Sequence, residues 1–118
     1  MSNKARAEDL WRLLGHGDVS GMLDLFADDV EFDGRFGPET PWYGLSKGKQ
    51  ELLRFWELMG AALSETSYEI YHVMEEGDVT LSRGHESFTV TSTNIRVEFP
   101  VVAEHHWENG KIVFWREY

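Results

Sequence analysis

Residues 108–118 read ENGKIVFWREY. Asn109-Gly110 is the strongest short hairpin signal a sequence carries, because both residues accept the positive φ of a two-residue turn. The residues that follow are strand formers. In an extended chain Val113, Trp115 and Glu117 point to one face, and Ile112, Phe114, Arg116 and Tyr118 point to the other. Both faces are largely apolar, and each carries a charge near the end. This is the closing strand of a sheet, and it sets a carboxylate beside a tryptophan.

Upstream, the pattern is a meander. Tyr68 to Met74 alternates and is rich in strand formers, and EEGD at 75–78 turns it. Val79 to Thr91 reads as a long strand, TSTN at 91–94 as a turn, and Ile95 to Trp107 as the next strand. Pro100 places that strand at an edge or a bulge, since proline has no N–H to give a ladder. The first half is helical with one break. Ala7, Leu10, Trp11 and Leu14 form one apolar stripe, ended by Gly15 and Gly17. Asp18 caps a second stripe of Val19, Met22, Leu23 and Phe26. Val30 to Phe32 reads as a short strand closed by Asp33-Gly34. Ser46 is placed to cap a third helix, with Leu52, Phe55, Trp56, Met59 and Leu63 on its apolar side. The fold class is α+β, with helices on one face of a bent sheet and a four-stranded antiparallel meander in the second half.

Composition narrows the function. The 118 residues suit one domain with one core, spanning 1–118. There is no cysteine, hence no disulfide framework and no thiolate metal site. A formal net charge of −10 disfavours nucleic acid and an anionic membrane surface as partners. No basic segment precedes an apolar one, and no apolar run approaches membrane length, so a cytoplasmic location is expected.

Three segments carry a family resemblance: GDVSGMLDLFADDVEF at 17–32, PWYGLSKGKQELLRFW at 41–56, and ENGKIVFWREY at 108–118. They resemble the SnoaL-like branch of the nuclear-transport-factor-2-like superfamily. That branch is similar to ketosteroid isomerases, polyketide cyclases and limonene-epoxide hydrolase. The resemblance implies a conical, cystatin-like fold, with three N-terminal helices held in a curved antiparallel sheet. It further implies a deep apolar pocket and a homodimer formed through the outer sheet face. The isomerase's catalytic positions fall on or near Leu10, Gly34 and Ala103, which cannot do that chemistry. The hydrolase offers a closer match. Its closing Trp-Arg-acid-Tyr corresponds to Trp115, Arg116, Glu117 and Tyr118, and its arginine and second acid correspond to Arg83 and His85. The catalytic set it implies is Arg83, His85 and Glu117, with Arg83 as the partner of Glu117.

By the same match, the strand faces Leu81, Arg83, His85, Ser87 and Val101, Ala103, His105, Trp107 look into the pocket. Its walls would then be Trp11, Phe32, Trp56, Met59, His105, Trp107 and Trp115, with Trp42 and Tyr43 at the mouth. A carboxylate against an indole in a dry pocket holds its proton more tightly, and a nearby arginine works against this. Histidines and a glutamate can move protons near neutral pH. His105 and His106 point to opposite faces, so they cannot ligate one ion, and neither a metal nor a cofactor is expected. Plain alternatives stay open. Arg83 and Glu117 could be an ion pair that sets strand register, and His85 an ordinary core histidine. The chain is then an acid–base enzyme for a small hydrophobic oxygenated molecule, a non-catalytic binder of such a molecule, or a dimerisation module.

Overall fold

The computed structural model describes residues 1–34 and 44–118. Along the chain run α1 (Asn3–His16), α2 (Val19–Leu23), β1 (Phe26–Gly34), β2 (Gly44–Lys47), α3 (Lys49–Ala62), β3 (Leu63–Glu76), β4 (Val79–Val90), β5 (Ile95–Glu108) and β6 (Lys111–Glu117). The strands form one sheet in the order β2-β1-β6-β5-β4-β3. Helices α1 and α3 lie against its inner face, α1 on β3 and β4, and α3 on β1, β2 and β3.

The helices start and stop where local chemistry demands. Ser2 Oγ accepts from Ala5 N, and Gly17 closes α1 in the left-handed region at φ 67°. Asp18 accepts from Gly21 N to open α2. Phe26 does not continue that helix; it opens β1, and Asp33-Gly34 lies inside the strand, paired with β2. Ser46 belongs to β2, so α3 is capped by Gly48, while Glu51 in its first turn accepts from Lys47 N. Among the described residues no helix is long and apolar enough to cross a membrane.

The meander β3-β4-β5-β6 is antiparallel throughout. β1 departs from an all-antiparallel sheet: it runs parallel to β6, with Phe32 beside Trp115 and Asp33 beside Arg116. A parallel neighbour needs a long crossover, and here the entire α3-to-β5 stretch supplies it. The hairpin at Asn109-Gly110 forms as expected, both residues at positive φ. Pro100 lies on the end of β5 that overhangs β6, whose pairing starts only at Ala103, so the missing N–H faces an open edge there.

Bulges bend the sheet. On β3 the register with β4 slips between Ile70 and His72, leaving Tyr71 as the extra residue. On β6 it slips where His106 and Trp107 face Phe114 and Ile112, leaving Val113 as the extra residue. This second bulge puts Ile112 on the same side as Trp115, rather than with Phe114 as strict alternation requires. The core then joins Ala7, Leu10 and Trp11 of α1 to Leu52 and Phe55 of α3, and to Phe26, Phe32, Ala103, Trp107, Ile112 and Trp115 of the sheet. Gly84 is the tightest point. A Cβ there would lie 2.1 Å from the Glu69 carbonyl oxygen, so β3 can fold this closely over β4 only because position 84 has no side chain.

Candidate functional site

A cavity of about 200 Å³ opens between the helices and the inner sheet face. Leu14, Val19 and Met22 form one side, Trp56, Met59 and Leu63 another, and Phe32, Phe55 and Trp115 the base. The polar groups reaching it are Thr66, Tyr68, Glu86 and Glu117.

Trp115 is the hub of the base. It stacks on Phe26 at 5.7 Å, meets Phe32 edge-on at 5.1 Å and His105 at 4.8 Å. Two residues on, the same strand face carries Glu117, which is 7% exposed. Glu86 comes from β4, opposite Tyr68 of β3, and is 2% exposed. One oxygen of each carboxyl, Oε2, is buried and makes no hydrogen bond among the described residues. Neither acid is part of an ion pair among those residues.

Electrostatics follow from that isolation. Loss of water raises the Glu86 pKa to about 7. Glu117 is pushed up to about 8, first by burial and then by the charge of Glu86, with the Trp115 indole pulling weakly the other way. Burial, then Glu86 and Glu117, holds the Tyr68 phenol well above its usual value, so it remains a proton donor. The two acids therefore titrate as a pair across neutral pH. Near pH 7 the cavity holds one carboxylic acid and a second group balanced between acid and carboxylate. This is the arrangement that general acid–base chemistry needs.

The expected site residues divide cleanly. Phe32, Trp56, Met59, Trp115 and Glu117 line the cavity. Trp11, His105 and Trp107 are buried beside it rather than lining it: the Trp107 indole donates to Thr80 Oγ1 at 2.9 Å, and Trp11 and His105 flank Trp115. Burial, reinforced by His106, lowers the His105 pKa to about 3. His105 is thus neutral in the physiological range and moves no proton there. Trp42 and Tyr43 lie outside the described residues.

Arg83 and His85 are on the wrong side for a site. Both face outward, Arg83 over the Tyr71 ring at 5.9 Å and His85 4.0 Å from Glu98. The Arg83–Glu117 pair does not exist. The physical reason is the length of one turn. Residues 91–94 turn the chain so that Val90 pairs with Ile95. Odd-numbered residues of β5 then share a face with even-numbered residues of β4. Ala103 and His105 are inside, so Ser82 and Thr80 are inside with them, and Glu86 follows. Glu86 and Tyr68 are the polar cavity residues that sequence reasoning missed, although counting across this turn would have found Glu86. His105 and His106 do point to opposite faces; His106 is hydrogen-bonded to Glu104 on the outside. Among the described residues no cluster of three His, Asp or Glu side chains is arranged to hold a metal.

Comparison with known proteins gives a family and a fold. The model of the SnoaL-like domain matches residues 7–115. No curated protein matches the chain. Among solved structures, a protein of Mesorhizobium loti named as a SnoaL-like polyketide cyclase is 27% identical, covers 100% of this chain and 99% of its own, and has a TM-score of 0.77. A nuclear-transport-factor-2-like protein of Burkholderia xenovorans is 26% identical over 100% of this chain and 90% of its own, with a TM-score of 0.82. Another such protein, from Burkholderia pseudomallei and of unknown function, superimposes with a TM-score of 0.92 at 20% identity, over 100% of this chain and 91% of its own.

Proposed function

Because the chain belongs to the SnoaL-like domain family, we propose that its inner cavity is an acid–base active site acting on a compact, mostly apolar molecule with a carbonyl or epoxide oxygen. The observation that carries this reading is the convergence of Glu86 and Glu117, both without a cationic partner among the described residues, on one apolar cavity. Buried acids are costly unless paired or used, and here no pairing is present among the described residues. The polyketide-cyclase name of the Mesorhizobium loti protein supports chemistry of this kind, since ring closure beside a carbonyl begins with removal of a proton. The volume of about 200 Å³ lies below the ~300–1,000 Å³ of most small-molecule clefts, which favours a compact substrate.

The pair divides the two roles between its members. The acid that is ionised takes a proton from the carbon next to the carbonyl. The one still protonated donates to the oxygen as negative charge builds there, and the Tyr68 hydroxyl is a second donor. Returning the proton at a different carbon gives an isomer, and attack by the carbanion on a second carbonyl gives a ring. On an epoxide, the same pair would protonate the oxygen and activate water.

Two probes separate these reactions. In heavy water, cyclohexanone should exchange its α-hydrogens in the presence of the protein, read by proton NMR. Cyclohexene oxide should instead open to a diol if water addition is the reaction. Glu86→Gln should reduce the observed turnover by about 10²-fold or more. Turnover of neither probe, or full turnover in the Gln variant, would overturn the assignment.

The outer sheet face supports a second part of the reading, the pairing of two copies of this chain. Tyr71 and Met74, 51% and 54% exposed, add apolar surface to it. Sedimentation equilibrium should give a dimer, and a monomer at tens of micromolar concentration, where dimers of ordinary affinity stay associated, would contradict this.

A further inference from the structure

The cavity holds two carboxyl groups and no basic side chain among its described lining residues. A buried carboxyl without a counter-charge holds its proton to higher pH, and a cation brought to it favours the ionised form. Nothing in the described lining supplies one. Around the acids lie the aromatic side chains Trp56, Trp115, Phe32 and Phe55. Aromatic faces carry negative potential and attract ammonium groups, most strongly where water is excluded. An anionic head group would meet two acids and no donor stronger than a hydroxyl. A neutral ligand would accept a hydrogen bond from a protonated acid but would bring no charge to meet a carboxylate. A cation is matched by both the acids and the aromatic part of the wall.

We propose that the ligand of this cavity is a compact organic ammonium compound, its charge met by Glu86 and Glu117 and its alkyl surface lying on Trp56 and Trp115. This rests on reading the cavity as the reactive site, and it adds how the base is made. As the ammonium group enters, one carboxyl O–H bond breaks and the proton passes to solvent. A carboxylate–ammonium pair remains, so charge is conserved. The carboxylate formed in this way is the base, and the second carboxyl keeps its proton. A charged substrate therefore switches on the group that attacks it.

The remaining groups facing the pair do not compete in this titration. From β3 comes Tyr68, which stays protonated. From β5 comes His105, behind Trp115, which stays neutral. The helices bring Leu14, Met22 and Met59 to the cavity, none of them ionisable.

Calorimetric titration of the intact chain with choline and with its uncharged carbon isostere, 3,3-dimethylbutan-1-ol, tests this. Near pH 7 choline should bind about tenfold tighter or more. Comparing buffers of different ionisation enthalpy should show release of about half a proton for choline near pH 7, rising toward one near pH 6 where the free pair is still protonated, and none for the alcohol. Choline affinity should rise with pH and level off above about pH 8, where one acid of the free pair is already ionised. Glu117→Gln and Glu86→Gln should each narrow the preference for choline over the alcohol and reduce the proton release; if either fails to fold, the proton count on the unaltered chain decides. Equal affinity for the two probes, no choline binding, or choline binding without proton release would overturn the proposal. Proton-coupled choline binding without cyclohexanone exchange would leave the ligand class standing and remove the catalytic reading. Exchange without choline binding would do the reverse.

Discussion

The two faces of β4 make one impression in sequence and the opposite one in the structure. Leu81, Arg83, His85 and Ser87 face outward, where Arg83 is exposed and lies over Tyr71. Thr80, Ser82, Gly84 and Glu86 face inward, all buried. The outward set holds the residues that look most like catalysts. The inward set holds a glycine, two small hydroxyls and one glutamate, and it is this set that meets the helices. A reactive residue type means little until its face is known, and on a strand the face is decided by parity. Solvent can satisfy an arginine and a histidine outside. Inside, a single glutamate has its proton affinity raised because burial strips water from it and no cation meets it among the described residues.

The largest effect is expected at Gly84. Any side chain there would strike the Glu69 carbonyl oxygen, 2.1 Å from the position of a Cβ. Gly84→Val should lose more than about 3 kcal/mol or fail to fold, as urea unfolding will show. Wild-type stability in that variant would mean that the inner face of β4 is not where it is described.

Next in size is Trp115→Ala. It removes the hub between Phe26, Phe32 and His105 and should cost about 3–5 kcal/mol. A loss below about 1 kcal/mol would place Trp115 at the periphery of the core.

A smaller effect separates the faces by pH. Glu86 and Glu117 retain protons in the folded chain up to about 7 and about 8. An unfolded chain has released them by about pH 5. The unfolded chain therefore binds fewer protons in this window, and stability falls as pH rises. His105 acts oppositely: its folded pKa of about 3 makes stability rise with pH up to its unfolded value of about 6.5. The carboxyl effect is thus cleanest above about pH 6.5, where it should amount to about 2 kcal/mol by pH 8. Glu117→Gln should flatten that fall and be more stable than the natural chain at the alkaline end. If Glu117 were ion-paired, the same change would be destabilising there.

The smallest effect is expected on the outer face. Arg83→Ala and His85→Ala should change stability by no more than about 0.5 kcal/mol and leave turnover of any cavity substrate intact. A large loss of activity in either would return the site to the outer face.

The course of the meander was legible in the sequence because each of its turns has local chemistry: Gly77-Asp78, residues 91–94 and Asn109-Gly110 each mark a hairpin. Glu117 was legible as well, since a carboxylate beside Trp115 demands an explanation. Other features were not. The parallel pairing of β1 with β6 joins residues over eighty positions apart, Asp33 with Arg116 for example, and no local pattern encodes it. The Val113 bulge is invisible to an alternation count, although it brings Ile112 to the side of Trp115. The partner of Glu117 was misplaced for a third reason: the face of β4 was assigned by likeness to another enzyme, whereas the turn at 91–94 already determined it. Glu86, one residue from His85, was thereby left outside the reading.

Glu86 and Glu117 form an acid pair with no cation beside it among the described residues, and carbon-13 NMR of glutamate side-chain carboxyls, titrated across pH in the intact chain, reads that pair. Two carboxyls should remain protonated past the normal glutamate range and titrate near 7 and near 8, and Glu86→Gln and Glu117→Gln should each remove one of them. If every glutamate of the chain titrated below about pH 5, the buried pair would be absent and the account would be wrong.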